Sequence, residues 1–591
     1  MNKGPSNQHE YTERYRPQFH FSTPKGNLAD PNGLVYYNET YHLFHQKDGN
    51  WAHAISEDLL HWKHLPLALE HDKLGQALSG SVVMDHSNHS GLFDRGEGLV
   101  AFYTSTEGGE AQSLAYSCDD GFTWQRYPHN PVINNPGIKD FRDPKVLWYD
   151  DSNAWVMVVS TDQTVSFYRS HNLVDWTYSS EFGEHEGLHV AVWECPDLFP
   201  LPVDGSRANE KWVLHVSVGD NDETKGSTAQ YFIGRFDGYA FQNDNPSDEV
   251  LVTDYGQDFY AAQTFYNVND RTIWLGWMAN WRYPYQSPTN PWMGSMSFPR
   301  ELSLVTNPEG QLRLAQQPMA EIEQLHSKER QFKTFEVQDE PFRLHFQGTN
   351  YLLEATVTWE ELREFGLRLR HGDGVEALIG VDVEYNKVFI DRTNAGLKTI
   401  VDRCGEKFPF GQRYEAEYDG GRKYINLKVL VDESSIELFV QQGVTVFTSL
   451  IYTEPTNDGI EWYAADGTIT VKDLTITHLH NTWREQTDTV DRLVTNVEEQ
   501  SLTVGEQHQV KAALKPDEQD FDEDELMWRS ADERVVKVIQ MNGRTCTIEA
   551  VKEGHTTLHV CDQRSVSSSE IQLVVEDERS FSDRLKDVFK K

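Results

Sequence analysis

Cysteine is scarce and scattered. Five residues (Cys118, Cys195, Cys404, Cys546 and Cys561) are spread over 591 positions. With no Cys-x-x-Cys pair and no Cys/His cluster, neither a disulfide scaffold nor a structural zinc site has support. Only Cys546 and Cys561 sit close enough to leave a pairing open. Long apolar runs are missing too: none reaches the roughly 18 residues of a membrane span. The start, Met1 to Asn7, lacks the apolar core of a secretory leader. Read literally, that start implies a cytoplasmic protein; a mature form of a longer chain would instead be extracellular. Positive charge is in deficit, with 53 Lys and Arg against 93 Asp and Glu and a net charge of −40. That balance argues against nucleic acid and anionic membrane as partners and reads most simply as a solvated acidic surface.

Helical periodicity is scarce, whereas aromatics are plentiful, at 16 Trp, 25 Tyr and 29 Phe. The length suggests about three or four domains. Over the first 300 residues, short apolar runs such as Gly33–Tyr37, Tyr41–His45 and Trp155–Val159 alternate with Asn, Asp, Gly and Pro, the pattern of strands and turns. A degenerate motif running from Ser to Trp recurs at Ser56–Trp62, Ser117–Trp124 and Ser170–Trp176, its tryptophans 62 and then 52 residues apart. One four-stranded propeller blade per repeat fits that period and gives about five blades, over residues 15–315. Met319–Leu325 reads as a short helical connector. From 332 to 482 the strands lengthen and alternate polar with apolar, as in Tyr351–Val357 and Ile425–Val431, which predicts an antiparallel β-sandwich. A third unit, 488–576, carries Ser501–Glu506, Trp528–Asp532 and Ala550–Leu558 and resembles the bacterial group 2 immunoglobulin-like module. The resemblance implies a small β-sandwich that spaces, anchors or contacts polysaccharide or a cell surface. The acidic run Asp517–Glu525 reads as a solvated loop, and within the C-terminal tail 577–591 the residues Phe581–Lys591 read as a short amphipathic helix. The fold expected is therefore all-β: a five-bladed propeller, a sandwich and a small immunoglobulin-like sandwich.

Three acidic motifs carry the chemistry: Ala29-Asp30-Pro31-Asn32-Gly33, Phe141-Arg142-Asp143-Pro144-Lys145 and Trp193-Glu194-Cys195-Pro196-Asp197. Paired carboxylates beside aromatic platforms suit cleavage of a glycosidic bond, one acting at the anomeric carbon and another protonating the leaving oxygen. Together with His20-Phe21-Ser22, Phe44-His45-Gln46, Trp51–Ser56, Leu78–Ser81, Trp277–Trp281 and Pro299–Glu301, these motifs resemble glycoside hydrolase family 32. That family comprises the levanases, inulinases and invertases that act on fructans.

The resemblance implies that Asp30 is the nucleophile, Glu194 the acid/base and Asp143 a transition-state stabiliser. It also implies that Asn27, Gln46, Trp51, Leu78, Ser79, Arg142 and Trp281 line a pocket for a terminal fructose. Cys195 reads as a buried neighbour and Asp197 as structural. Neither metal nor cofactor is expected. The reaction implied is retaining hydrolysis of β-fructofuranosyl linkages in levan, inulin or fructo-oligosaccharides, with sucrose within reach and exo cleavage expected. A retaining carboxylate pair lies about 5–5.5 Å apart. A fructosyltransferase, an endo-acting levanase, an inverting arabinan-cleaving propeller enzyme and a non-catalytic carbohydrate-binding protein remain open as alternatives. Two departures, Asn27 where the family has an aromatic and Ala29 where it has Asn, bear on pocket shape.

Overall fold

The computed structural model describes residues 11–94, 96–418, 421–483, 492–497, 499–515, 526–530, 532–542, 544–562 and 568–576. The start of the chain, the acidic run 517–525 and the tail 577–591 lie outside the described residues. Two compact units make up the chain, the larger formed by residues 1–62 and 67–483 and the smaller built on 484–591.

The larger unit opens with five antiparallel blades whose innermost strands are Pro31–Tyr37, Ala77–Met84, Phe141–Tyr149, Trp193–Val203 and Tyr260–Thr264. The C-terminal halves of the first four of these strands are apolar, because each blade packs on a neighbour through both faces. Successive side chains of a strand point to opposite faces. Thus Val82 joins the core shared with the first blade and Val83 the core shared with the third. Leu198 and Phe199 divide in the same way between the third and fifth blades. A strand buried on both faces reads as a continuous hydrophobic run rather than an alternating one. The ring closes where Leu34 and Leu43 of the first blade meet Ile273 and Leu275 of the fifth.

The Ser-to-Trp repeat is a single turn used three times, between the third and fourth strands of the first three blades. Ser56 donates to Asp58 Oδ1, which accepts the amides of Leu60 and His61, and the Trp62 indole donates to Leu59 O at 3.0 Å. Ser117, Asp119 and Trp124 repeat the arrangement, as do Ser170, Asn172 and Trp176. In the fourth blade Asp237 accepts the amides of Tyr239 and Ala240, but the turn lacks the Ser and Trp of the motif, which is why the period fades there.

A 3₁₀ helix, Ala320–Leu325, forms the connector into the sandwich. One seven-stranded and one six-stranded sheet face each other across a core that includes Leu353, Phe365, Ile379, Val429 and Trp462. The propeller and sandwich share a buried charged seam. His20 lies 2.7 Å from Asp432 and 2.8 Å from Glu437, and Arg300 bridges Glu437 to Asp254. The smaller unit sandwiches two four-stranded sheets around one core containing Val510, Trp528, Ile548 and Ile571. Cys546 within it is a buried, free thiol, which lends no support to a bridge with Cys561, whose side chain lies outside the described residues. Among the described residues, no helix is long and apolar enough to cross a membrane.

Burial alone would lower the His20 pKa, but hydrogen bonds to Asp432 and Glu437 outweigh it and raise the imidazole to about 9. A folded-state pKa above the unfolded value of about 6.5 stabilises the fold fully below that value, and the contribution is lost as pH rises through 9. The difference in unfolding midpoint between the native chain and a His20→Gln variant should therefore shrink steadily between pH 6.5 and 9. A difference that stayed constant with pH would show that His20 is held neutral.

Candidate active site

Each innermost strand is interrupted by a bulge near its N-terminal end, with register shifts at Asn32/Val35, Ala77/Gly80, Arg142/Lys145, Glu194/Asp197 and Tyr260/Gln263. At Gly33, Asp143, Cys195 and Ala261, the first skipped residue has φ between 48° and 65°, the left-handed region that bulges exploit. A Cβ on Gly33 would lie 2.8 Å from both the Phe44 ring and Val82, so glycine is required there for space as well as conformation. The bulges bring equivalent positions of neighbouring blades together. The residues just before the shift, Arg142, Glu194 and Tyr260, form a row in which Arg142 and Tyr260 both donate to Glu194.

Asp30 precedes the first innermost strand. Its Oδ2 accepts from Ser79 Oγ at 3.1 Å, whereas Oδ1 is buried without a hydrogen-bond partner. Its backbone carbonyl accepts the Gln46 amide at 3.0 Å. With its amide oriented to satisfy both ends, Asn32 donates to Ser79 Oγ and accepts from Gln46 Nε2, tying these residues into one patch. Asp143 is buried; its Oδ2 accepts the Cys195 amide at 2.9 Å and its own amide donates to Thr104 Oγ1. Arg142 reaches Glu194 Oε1 from Nε at 3.1 Å and Nη2 at 2.8 Å, while its Nη1 is held by Glu110 and Asp140. The Tyr260 hydroxyl donates to Glu194 Oε2. The Cys195 thiol lies 3.6 Å from Asp143 and 3.9 Å from Asp30; burial first, then these acids, keep it protonated far above the usual thiol range.

The candidates Asp30, Gln46, Ser79, Arg142, Asp143 and Glu194 thus converge. Leu78 and Trp281 are partly exposed, and Trp281 packs edge-on against Tyr260, with ring centroids 6.5 Å apart. Asn27 donates to Asp48. Trp51 differs from the expectation of a sugar platform. It is fully buried between blades, and its indole donates to the Leu78 carbonyl at 2.9 Å, so it supports the patch from beneath. Asp197 pairs with Lys145 in the core, a structural position as expected. Tyr260, Glu110, Asp140 and Thr104 escaped the sequence reading. Tyr260 was accessible in principle, since it stands just before the register shift of the fifth innermost strand as Glu194 does in the fourth. Among the described residues no group of His, Cys, Asp and Glu could hold a metal ion.

Three carboxylates converging at the innermost strands of a five-bladed propeller with an attached sandwich are the arrangement of a glycoside hydrolase. The particular family follows from comparison. Residues 20–318 match the N-terminal domain of glycosyl hydrolases family 32, and residues 321–478 match that family's C-terminal domain; the chain belongs to this family. It is 43% identical over 492 residues to a levanase of Bacillus subtilis, covering 80% of this chain and 72% of that one. A levanase of Bacillus sp. strain L7 is 41% identical over 533 residues, covering 85% of this chain and 56% of its own length. The crystal structure of an exo-inulinase from Aspergillus awamori superposes with a TM-score of 0.72 at 33% identity, covering 80% of this chain and all of that one.

Burial, then the charges of Glu194 and Asp143, raise the Asp30 carboxyl to about 8, although the pocket leaves the residue partly accessible and water tempers the shift. Burial also raises Asp143, to about 7, against the pull of Arg142. A carboxyl whose folded pKa exceeds its unfolded value destabilises the fold increasingly as pH rises from about 4 to its folded value. Asp30→Asn should accordingly melt higher than the native chain, with an advantage that widens between pH 4 and 8. An advantage that did not widen would mean that Asp30 is solvated and ordinary.

Proposed function

We propose that this protein is a retaining β-fructofuranosidase that releases fructose from the ends of fructans, with Asp30 as nucleophile, Glu194 as acid/base and Asp143 holding sugar hydroxyls. The observation that carries this reading is the unlike setting of the two acids. Asp30 has one hydroxyl donor, no cation and a bare buried oxygen. Such a carboxylate, once ionised, is poorly solvated and available for attack. Glu194 is held at both oxygens by the donors Arg142 and Tyr260. They stabilise the carboxylate left after Glu194 gives its proton to the leaving oxygen, and they aim it at the water that later cleaves the fructosyl-enzyme. The reaction requires a proton on Glu194 and a charge on Asp30 when the substrate is in place.

Asn27, Gln46, Leu78, Ser79, Arg142 and Trp281 would surround the terminal fructose, with Trp51 behind them. The levanase and exo-inulinase relatives support fructan as the substrate and exo cleavage as the mode. The limits 15–315 and 332–482 bound the catalytic propeller and its sandwich in this reading, and the module at 488–576 would contact polysaccharide or a cell surface.

A time course on levan, inulin and sucrose tests the reading. Fructose should be the first product, carrying the anomeric configuration of the bond cleaved when observed by NMR before mutarotation. Early oligosaccharides would mean endo cleavage, or transfer where they exceed the substrate in length. No reaction on any of the three would move arabinan to the front. Glu194→Gln should lower kcat on unactivated fructan by about 10²–10⁴-fold while the fold persists; unchanged turnover would remove Glu194 from the mechanism.

A further inference from the structure

The lead-in to the fifth blade, Asp254–Asp258, lies along a sandwich strand, Thr445–Leu450, rather than in the propeller ring. Tyr255 N donates to Val446 O at 2.8 Å and Asp258 N to Thr448 O at 3.2 Å. In return, Thr448 N donates to Asp254 Oδ1 and Leu450 N to Asp258 Oδ2, each at 2.8 Å. The Thr448 hydroxyl adds a bond of 2.6 Å to Asp254 Oδ2. Gly256 permits the approach: a Cβ there would fall 2.0 Å from the Thr448 carbonyl oxygen. The grip tightens toward the site. Asp258, fully buried, accepts from Arg392 of the sandwich and from the Tyr283 hydroxyl. Arg392 is itself fixed by the Phe410 and Leu450 carbonyls. Two residues beyond Asp258 stands Tyr260, fully buried, with its hydroxyl on Glu194.

We propose that the sandwich is part of the acid/base apparatus: by clamping Asp254–Asp258 it fixes Tyr260 as the positioning residue for Glu194. The inference rests on reading Glu194 as the acid/base. Phe259 alone separates the clamp from the tyrosine, so a displacement of Asp258 passes to the hydroxyl with little slack. Burial, and then Glu194, raise the Tyr260 phenol far above its usual range, so it remains an O–H donor at every working pH. Arg142 and Asp143 from the third blade, Asp30 ahead of the first and the Cys195 thiol also face Glu194. None of these touches the sandwich clamp, which reaches the acid through Tyr260.

The test is a set of double-mutant cycles on the full chain, read by the pH profile of kcat/KM on a fructan substrate. Tyr260→Phe should lower kcat about tenfold, leave KM within about twofold, and move the alkaline limb to higher pH, because the Glu194 carboxylate loses a donor. Asp258→Asn and Thr448→Val should each reproduce part of the loss and move the same limb. In the Tyr260→Phe background they should add less than about a further twofold, the coupling expected of residues acting through one another. If Asp258→Asn leaves a buried arginine unpaired and does not fold, Thr448→Val carries the same comparison. Undiminished losses in the Tyr260→Phe background, or a lower melting temperature with an unmoved alkaline limb, would overturn the proposal and leave the sandwich a purely structural partner. Full activity of Glu194→Gln would instead remove the reading beneath it, so the two failures are separable.

Discussion

A single buried ion pair underlies the site. Lys145 and Asp197 meet at 3.1 Å on the innermost strands of the third and fourth blades. The lysine also donates to the carbonyl and hydroxyl of Thr264 on the fifth, whose amide donates back to Asp197. Three strands are therefore tied at one level. Two to four residues earlier on the same three strands stand Asp143, Glu194 and Tyr260. Removing one member of a desolvated pair costs about 3–5 kcal/mol, because the other charge is left stranded, so these strands cannot slip independently. Above the tie each strand bulges, and the Gln263 amide caps the Cys195 and Pro196 carbonyls that the bulge exposes. Catalytic precision thus begins as a register problem in sheet geometry, solved with one ion pair and five bulges.

Much of this was legible in the sequence, for reasons that can be named. The three acids stood out because each lies at a bulge or tight turn that demands Pro, Gly or a residue tolerant of positive φ; such demands leave short distinctive motifs. The Ser-to-Trp turns were legible because their hydrogen bonds use side chains. Blades four and five lacked that mark, so their presence followed only from extending the period over the first 300 residues. Tyr260 was lost for the opposite reason: Phe259–Thr264 is an apolar run like any other, and only its place in the blade order makes its tyrosine special. Trp51 misled because an indole suits a sugar face and a core equally well, and burial decides between them. The sandwich clamp was invisible, since it depends on contacts between residues almost 200 positions apart, such as Asp254 and Thr448.

Charge supplies the last link. Arg142 serves Glu194, Glu110 and Asp140 together, whereas Asp30 and Asp143 share no cation at hydrogen-bonding distance. The pocket is thus over-supplied with negative charge and holds protons that exposed carboxylates would release. That excess is unfavourable for folding but suited to the proposed reaction. In the proposed reaction, positive charge develops on the fructosyl ring beside Asp30 as the bond to the leaving sugar lengthens, and the carboxylates held in fixed positions supply the counter-charge. Stabilisation that exists only when that charge appears lowers the barrier without deepening the ground state. In the proposed reaction the placement of Arg142 decides which acid feels it: on Glu194 it supports the carboxylate that forms late, and Asp30, the attacking acid of that proposal, is left without a cation at hydrogen-bonding distance.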